Sequence, residues 1–479
     1  MVSEKFRYQL RKESEQWQTE GLISSEQYEE LSQRYEFNKL DSAASDRFIS
    51  ILIGLGCILL GLGAITFVAA NWQNWSRDFR VILLLTLFLS VNISGFYLWR
   101  QPTRNPGQKR LGHGLLLFGS LILGANMALM SQLFHQSGPI YELFLYWSLG
   151  VLPMAFALRL TSLGVLAQIL LAISYGSALT NWGRIEEFTF SKLLIEHLPI
   201  LVSIFFVPLA YWCGSRVIFA LASIGITMSF MIGISPFALG PNGGGILAAI
   251  AFTIPPALLW GYRDDLWKFT RIRIAQMPHL NEYSFQAISR AIALCFFAIF
   301  LYFFSFHGLW QYWFENYPNV TEIEKFRQLL PDVLFLSFFA VLGWLQIFKQ
   351  PHNLNPFQSL NINTGTIFLL MIAINLLLII HLNITPIMAI ATIVINALLA
   401  LLAIGLIRDA LTLVKRTTFW YGMVLLVLQI TSRMFEYDTE LLLKALVFVI
   451  CGVAIIAAGL WFERQLKAAK AKASLPESI

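Results

Sequence analysis

Between Ile49 and Phe462 the chain alternates runs of about twenty apolar residues with short polar gaps. Such a run, at 1.5 Å per residue, is long enough to cross the ~30 Å hydrocarbon core of a bilayer as an α-helix. Fourteen spans are predicted, at 49–71, 80–98, 114–134, 142–159, 161–180, 193–213, 217–235, 245–261, 288–308, 332–348, 364–382, 386–407, 418–435 and 440–462. A backbone in lipid must bond its own polar groups, so the pattern predicts an all-α, polytopic transmembrane helix bundle.

The first 47 residues have a different pattern. Phe6, Leu10 and Trp17 fit one helical face, Gly21 is a helix stop, and Ser24 with Gln27 reads as a capping box that starts a second helix. Tyr28, Leu31 and Tyr35 then continue an i, i+3, i+7 stripe. Residues 1–47 are therefore expected to form a small cytosolic helical hairpin, 48–464 the membrane domain and 465–479 a basic cytosolic tail. Trp17, Tyr28, Leu31 and Tyr35 are the candidate partner-binding residues of the hairpin; the alternative is a solvated hairpin packed on the membrane domain.

Charge gives the orientation. With the N-terminus inside, the inner segments collect 26 of the 34 basic residues, which is the asymmetry of a protein with both termini cytoplasmic. Composition agrees: 57% of residues are apolar and only 13% charged, against about 25% in soluble domains. The net charge of +6 is thus assigned to membrane orientation, and no nucleic-acid partner is expected. The opening residues are too charged for a cleavable signal peptide. Four cysteines without CxxC spacing or clustered histidines predict neither a disulfide framework nor a metal site.

Trp17, the run Gly21-Leu22-Ile23-Ser24, then Tyr28, Leu31 and Tyr35 resemble the opening of one bacterial family of multispanning membrane proteins, the domain of unknown function numbered 2157. The glycine-rich first span, Ala70-Asn71-Trp72, and Arg433-Met434-Phe435-Glu436 before a last span with Gly452 resemble it as well. The resemblance implies an inner-membrane protein with a cytosolic N-terminus. It implies no activity, substrate or catalytic residue.

Several polar or small residues are candidates for chemistry. Gly54, Gly56, Gly61 and Gly63 offer a close-packing surface in the first span, either static or sliding. His135, His307 and His381 are all predicted near the outer boundary, where a convergent set would bind a proton, a metal or an anionic headgroup; separate interfacial histidines are the alternative. Arg433, Glu436, Glu440 and Lys444, with Asp438, form the densest outer charge cluster, read equally as helix pairing or as a binding site. Pro255 and Pro256 are expected to kink or break the eighth span. Asn375, Asn396, Gln168 and Gln429 are either interhelical glue or cavity lining. Glu196-His197 is a lone pair at a span end and suggests no mechanism by itself.

No P-loop, HExxH, GxSxG or Rossmann fingerprint occurs, so neither an enzyme nor a cofactor is expected. The preferred reading is a carrier or a lipid- or small-solute-handling protein. The scarcity of midplane carboxylates turns it towards a neutral or lipidic substrate. The alternative is a non-transporting scaffold, sensor or envelope-assembly component acting through its hairpin. An intramembrane enzyme on lipid-linked substrates ranks last.

Overall fold

A computed structural model describes residues 4–35, 37, single positions between 52 and 70, 75–100, 106–135, 138–181, 189–238, 244–264, 284–310, 323–348, 362–413, 416–437 and 440–473. Among the described residues all regular structure is helical. The chain divides into two units, Met1–Trp182 and Gly183–Ile479.

The first unit opens with α1 (Glu4–Thr19) and α2 (Ser25–Tyr35), which touch. Gly21 turns the chain with φ +74°, a left-handed value that favours glycine. Ser24 and Gln27 then exchange two hydrogen bonds: the Ser24 N–H donates to Gln27 Oε1 (2.9 Å) and the Gln27 N–H to Ser24 Oγ (3.2 Å). Arg7 Nε donates to the Tyr35 carbonyl (2.6 Å), and the Phe6 and Tyr35 rings lie 6.2 Å apart. Trp17, Tyr28, Leu31 and Tyr35 are all half-buried, whereas Phe6, Tyr8 and Leu22 are the exposed large apolar residues of this segment.

Four longer helices follow: α3 (Arg77–Arg100), α4 (Pro106–Leu133), α5 (Ile140–Leu158) and α6 (Thr161–Asn181). α3 lies along α4 and α5 along α6. The first pair approaches closely because it meets through glycines: a Cβ on Gly112 would fall 2.6 Å from the Trp99 nitrogen and 2.9 Å from the Gly95 carbonyl oxygen. Gly54 and Gly61, expected from sequence to have this role, lie outside the described residues. At Gly56 and Gly63 an added Cβ would meet no described atom within 4 Å.

The second unit contains α7 (Phe190–Glu196), α8 (Leu198–Cys213), α9 (Arg216–Ala238), α10 (Gly244–Gly261), α11 (Gln286–Phe304), α12 (Ile323–Phe348), α13 (Ile362–Ile379), a π-turn (Ile380–Ile384), α14 (Met388–Leu413), α15 (Arg416–Glu436) and α16 (Leu441–Ala473). α10 is the hub, packed on α9, α11, α12 and α13. α12 reaches α10 at Gly343, where an added Cβ would collide with the carbonyl group of Gly261. Because backbone cannot yield as a flexible side chain does, Gly343→Ala is expected to cost about 1–3 kcal/mol of unfolding free energy, measurable in detergent micelles. α16 is held by the Phe419–Phe462 stack (4.3 Å) and the Arg416–Glu463 pair (2.8 Å), and Phe462 is the one residue of its apolar stretch Leu441–Gln465 that is buried inside the protein.

Ten described helices are long and apolar enough to cross a membrane, and α7 with α8 adds an eleventh as one span bent by 78°. α10 is shorter than these, and α15 is diluted by Gln429, Thr431, Ser432 and Arg433. The segment 49–71 is not described as an element. Of the kink or break expected at Pro255 and Pro256, the break does not occur: α10 runs uninterrupted through both prolines, and the break among the described spans lies at His197 instead. Neighbouring helices hold α10 in register on several sides, which is how membrane helices tolerate prolines. At His197 the chain leaves α7 in a non-helical conformation and restarts with Pro199 in the first turn of α8.

Candidate functional site

Helix ends require partners for their last carbonyls, and in lipid water does not supply them. At the end of α11 three side chains do so. Trp310 Nε1 donates to the Phe304 carbonyl (2.7 Å), and the Ser305 carbonyl accepts from both Asn396 Nδ2 of α14 (2.9 Å) and Arg433 Nη1 of α15 (2.5 Å). A guanidinium at a helix C-terminus also meets the negative end of the helix dipole. Arg433 pairs with Glu436 on its own helix, and its guanidinium lies 4.0 Å from the centre of the Phe306 ring. Glu436 also accepts the backbone N–H of His307. Gln429 of α15 completes the lattice by donating to Asn396 oxygen atoms at 2.8 and 3.2 Å.

The two histidines of this unit's cluster bind to the start of α14. Thr392 donates its hydroxyl proton to the Met388 carbonyl, leaving a lone pair for His307 Nδ1 at 3.3 Å. His381, buried in the π-turn, accepts the Ile387 N–H at Nδ1 (3.0 Å) and meets the edge of Trp310 at 4.8 Å. A backbone N–H only donates, so Nδ1 carries no proton and the ring is held as the Nε2–H tautomer. His307, His381, Arg433 and Glu436 thus share one connected cluster through Trp310, Asn396 and Ser305. His135 belongs to the first unit, just after α4, with φ +52°. Glu440 and Lys444 are joined through backbone, Lys444 N–H to Glu440 carbonyl at 3.1 Å. Glu436 is occupied by Arg433 and His307, which leaves no described ion pair for Lys444.

The hydrogen bonds of this cluster tie α11, α14 and α15 together as a fastener does, and Arg433 Nε and Nη2 and Gln429 Oε1 are buried in it without a hydrogen-bond partner among the described residues. A cavity of about 440 Å³, lined by Tyr302, Phe306, Leu428, Phe435 and Glu436, lies against the cluster, and a more apolar one lies elsewhere in the unit. Between α8, α9, α10, α11 and α12 there is a cavity of about 260 Å³. Val207, Phe219, Ile226, Leu258, Leu259, Phe335, Leu336 and Phe339 give it apolar walls, with Ser203, Ser223, Ser289 and Tyr262 as its polar points. Ile204, also in the wall, is 51% exposed and marks the side on which the cavity opens to the exterior of the helix bundle. Ser203 and Ser289 spend their hydroxyl protons on the Pro199 and Leu259 carbonyls (2.7 and 2.6 Å). The lining therefore behaves as an apolar surface.

One end of the cavity is polar. Tyr262 shares a hydrogen bond with Tyr211 (2.6 Å), and Tyr211 donates to Asp264. Asp264 also accepts from Ser284 Oγ (2.8 Å) and the Phe285 N–H (3.2 Å). Phe285 stacks on Phe219, with centroids 4.8 Å apart, and packs edge-on against Tyr211. The aromatic floor is thereby tied to a satisfied carboxylate.

The other end leads to a pair that the sequence pattern does not announce. His197, in the break between α7 and α8, bonds Asp332 of α12 through Nδ1 and Oδ2 at 2.8 Å. Asp332 lies a turn inside the apolar stretch Leu329–Phe348 and is fully buried, while the imidazole is 22% exposed. Leu336, one turn beyond Asp332 at ~6 Å of helix rise, lines the cavity. Buried intramembrane carboxylates are expected to be scarce, and Asp332 is one that the sequence pattern does not single out. A single aspartate in an apolar run carries no pattern, and its partner is 135 positions away.

Among the described residues no three His, Cys, Asp or Glu side chains converge closely enough to hold a metal ion. No curated protein and no solved structure matches the chain. Family-level similarity takes in Trp17 to Tyr35 and the helices α3 to α5, and it ends far short of Arg433. This is a multi-pass membrane protein whose residues 15–164 match the family model described as "Predicted membrane protein (DUF2157)", a family of uncharacterised membrane proteins.

Proposed function

We propose that this protein is a carrier or handler of a lipid or similar amphiphile, bound in the cavity of the second unit. The observation that supports the reading is the cavity itself: an apolar wall shared by five helices, a polar end at Tyr262, and a flank open where Ile204 is exposed. An acyl chain gains from leaving contact with water or headgroups for such a surface, and an amphiphile reaches it laterally. Counting the ten long helices, the bent span, α10, α15 and the apolar segment 49–71 gives fourteen spans, with both termini on the cytoplasmic side of a bacterial inner membrane.

Thermal unfolding of the purified protein in nanodiscs, against a panel of lipids, ions and polar metabolites, tests this. An amphiphile at ~100 times its dissociation constant is expected to add about 2.7 kcal/mol. Ser223→Phe, which fills the cavity from a buried position, is expected to abolish that gain. Stabilisation by polar solutes alone, or a lipid effect that survives Ser223→Phe, would refute the proposal.

A second reading, a scaffold or sensor docked through residues 1–47, draws support from Phe6, Tyr8 and Leu22, which are large, apolar and exposed. Deleting residues 1–47 separates the two: a lipid response that survives while a cellular phenotype is lost assigns the segment to docking.

A further inference from the structure

The break at His197 and the buried Asp332 carry an inference independent of what the cavity holds. We infer that His197 and Asp332 together form a proton-binding site in the bent span of the second unit. Three observations lead there. The carboxylate is fully enclosed inside a stretch that crosses the membrane. One of its oxygens, Oδ2, is engaged by the imidazole at 2.8 Å and Oδ1 has no hydrogen-bond partner among the described residues, while the backbone N–H of Ile200 at the start of α8 also steadies the carboxylate. The imidazole is 22% exposed, and it sits at the one described point where a spanning segment is bent, by 78°.

The chemistry is that of one proton. With His197 as imidazolium, Nδ1–H donates to Asp332 and the pair is neutral overall. Loss of the second imidazole proton leaves a net negative charge in a low-dielectric interior, which the enclosure disfavours. Proton occupancy therefore sets the charge of the bent span, and the proton enters through the imidazole. The surroundings leave the pair to dominate. α7 contributes Glu196, adjacent to His197, and Lys192, which acts on Glu196. α8 adds only Tyr211 and Cys213 at its far end, α9 only its first residue Arg216 and α10 no ionisable residue. On α12 the side chains of Glu324, Lys325 and Arg327 lie outside the described residues. The same two helices, α8 and α12, line the cavity, so a charge change at the pair acts on walls it shares with that space.

The test is magnetic resonance of the full-length protein in nanodiscs with isotope-labelled histidine. The chain has seven histidines, and the His197 signal is the one lost in His197→Gln. The expected result is a signal that titrates, a hydrogen-bonded Nδ1 proton resonance, and a fall in proton affinity of about tenfold or more in Asp332→Asn, restored by Asp332→Glu. An unchanged midpoint in Asp332→Asn overturns the inference. Should that variant fail to fold, proton uptake of the wild type against His197→Gln decides: a deficit of one proton in the variant supports the site, and equal uptake overturns it.

Discussion

Replacing Arg433 with alanine is expected to lower the unfolding free energy by about 3–5 kcal/mol, the range for breaking one side of a buried ion pair. Three losses coincide. The Ser305 carbonyl keeps only Asn396, Glu436 keeps only the His307 N–H, and Phe306 loses its cation. Both members of the pair are largely enclosed, at 12% and 15% side-chain exposure, so water does not replace what is removed. Glu436→Gln is expected to cost less, because an amide oxygen still accepts from His307. Replacing both residues with methionine is expected to recover much of the loss, since the uncompensated charge disappears. Denaturant unfolding in micelles measures all three. A cost for Arg433→Ala within about 0.5 kcal/mol, the range of unimportant surface changes, would show that the cluster is not a fastener.

Trp310→Ala is the second large effect, expected at about 3–5 kcal/mol. The indole is 3% exposed, packs against Phe304 at 5.5 Å and against His381 at 4.8 Å, and caps the Phe304 carbonyl. Alanine removes the volume and orphans a helix-end acceptor together. Trp310→Phe separates these contributions: it keeps most of the packing and loses the hydrogen bond, with an expected cost of about 0.5–1.5 kcal/mol. If the two variants cost the same, the hydrogen bond rather than the packing carries the residue's contribution.

What can be read from the sequence follows from what is local. Apolar runs report themselves one residue after another, and the runs within the described residues are helices close to their expected places, except that 193–213 is two helices bent at His197. Arg433 and Glu436 are i, i+3 on one helix, so their pairing is visible in the chain, and the capping box of Ser24 and Gln27 is visible for the same reason. Asn396 and Gln429 stand out as polar residues in apolar runs, and they prove to bond one another and the end of α11. Partnerships between helices are not legible. His197 with Asp332, and Tyr211 with Asp264, join residues far apart in the chain, with no periodicity to announce them. The cavity is harder still, because its lining differs in no way from ordinary span residues. Pro255 and Pro256 predict a kink or a break, and of these the break does not occur, because packing by the neighbours of α10 keeps that helix continuous.

The measurement that addresses lipid binding in the cavity most directly is photocrosslinking in vesicles with a phospholipid carrying a photoactivatable group at the end of its acyl chain. Adducts are predicted to concentrate on the cavity walls, on α8 around Ser203–Pro208 and on α12 around Phe335–Phe339, and to be lost in Ser223→Phe. Adducts confined to outward faces such as the apolar stretch of α16, and undiminished in Ser223→Phe, would contradict a lipid-binding cavity.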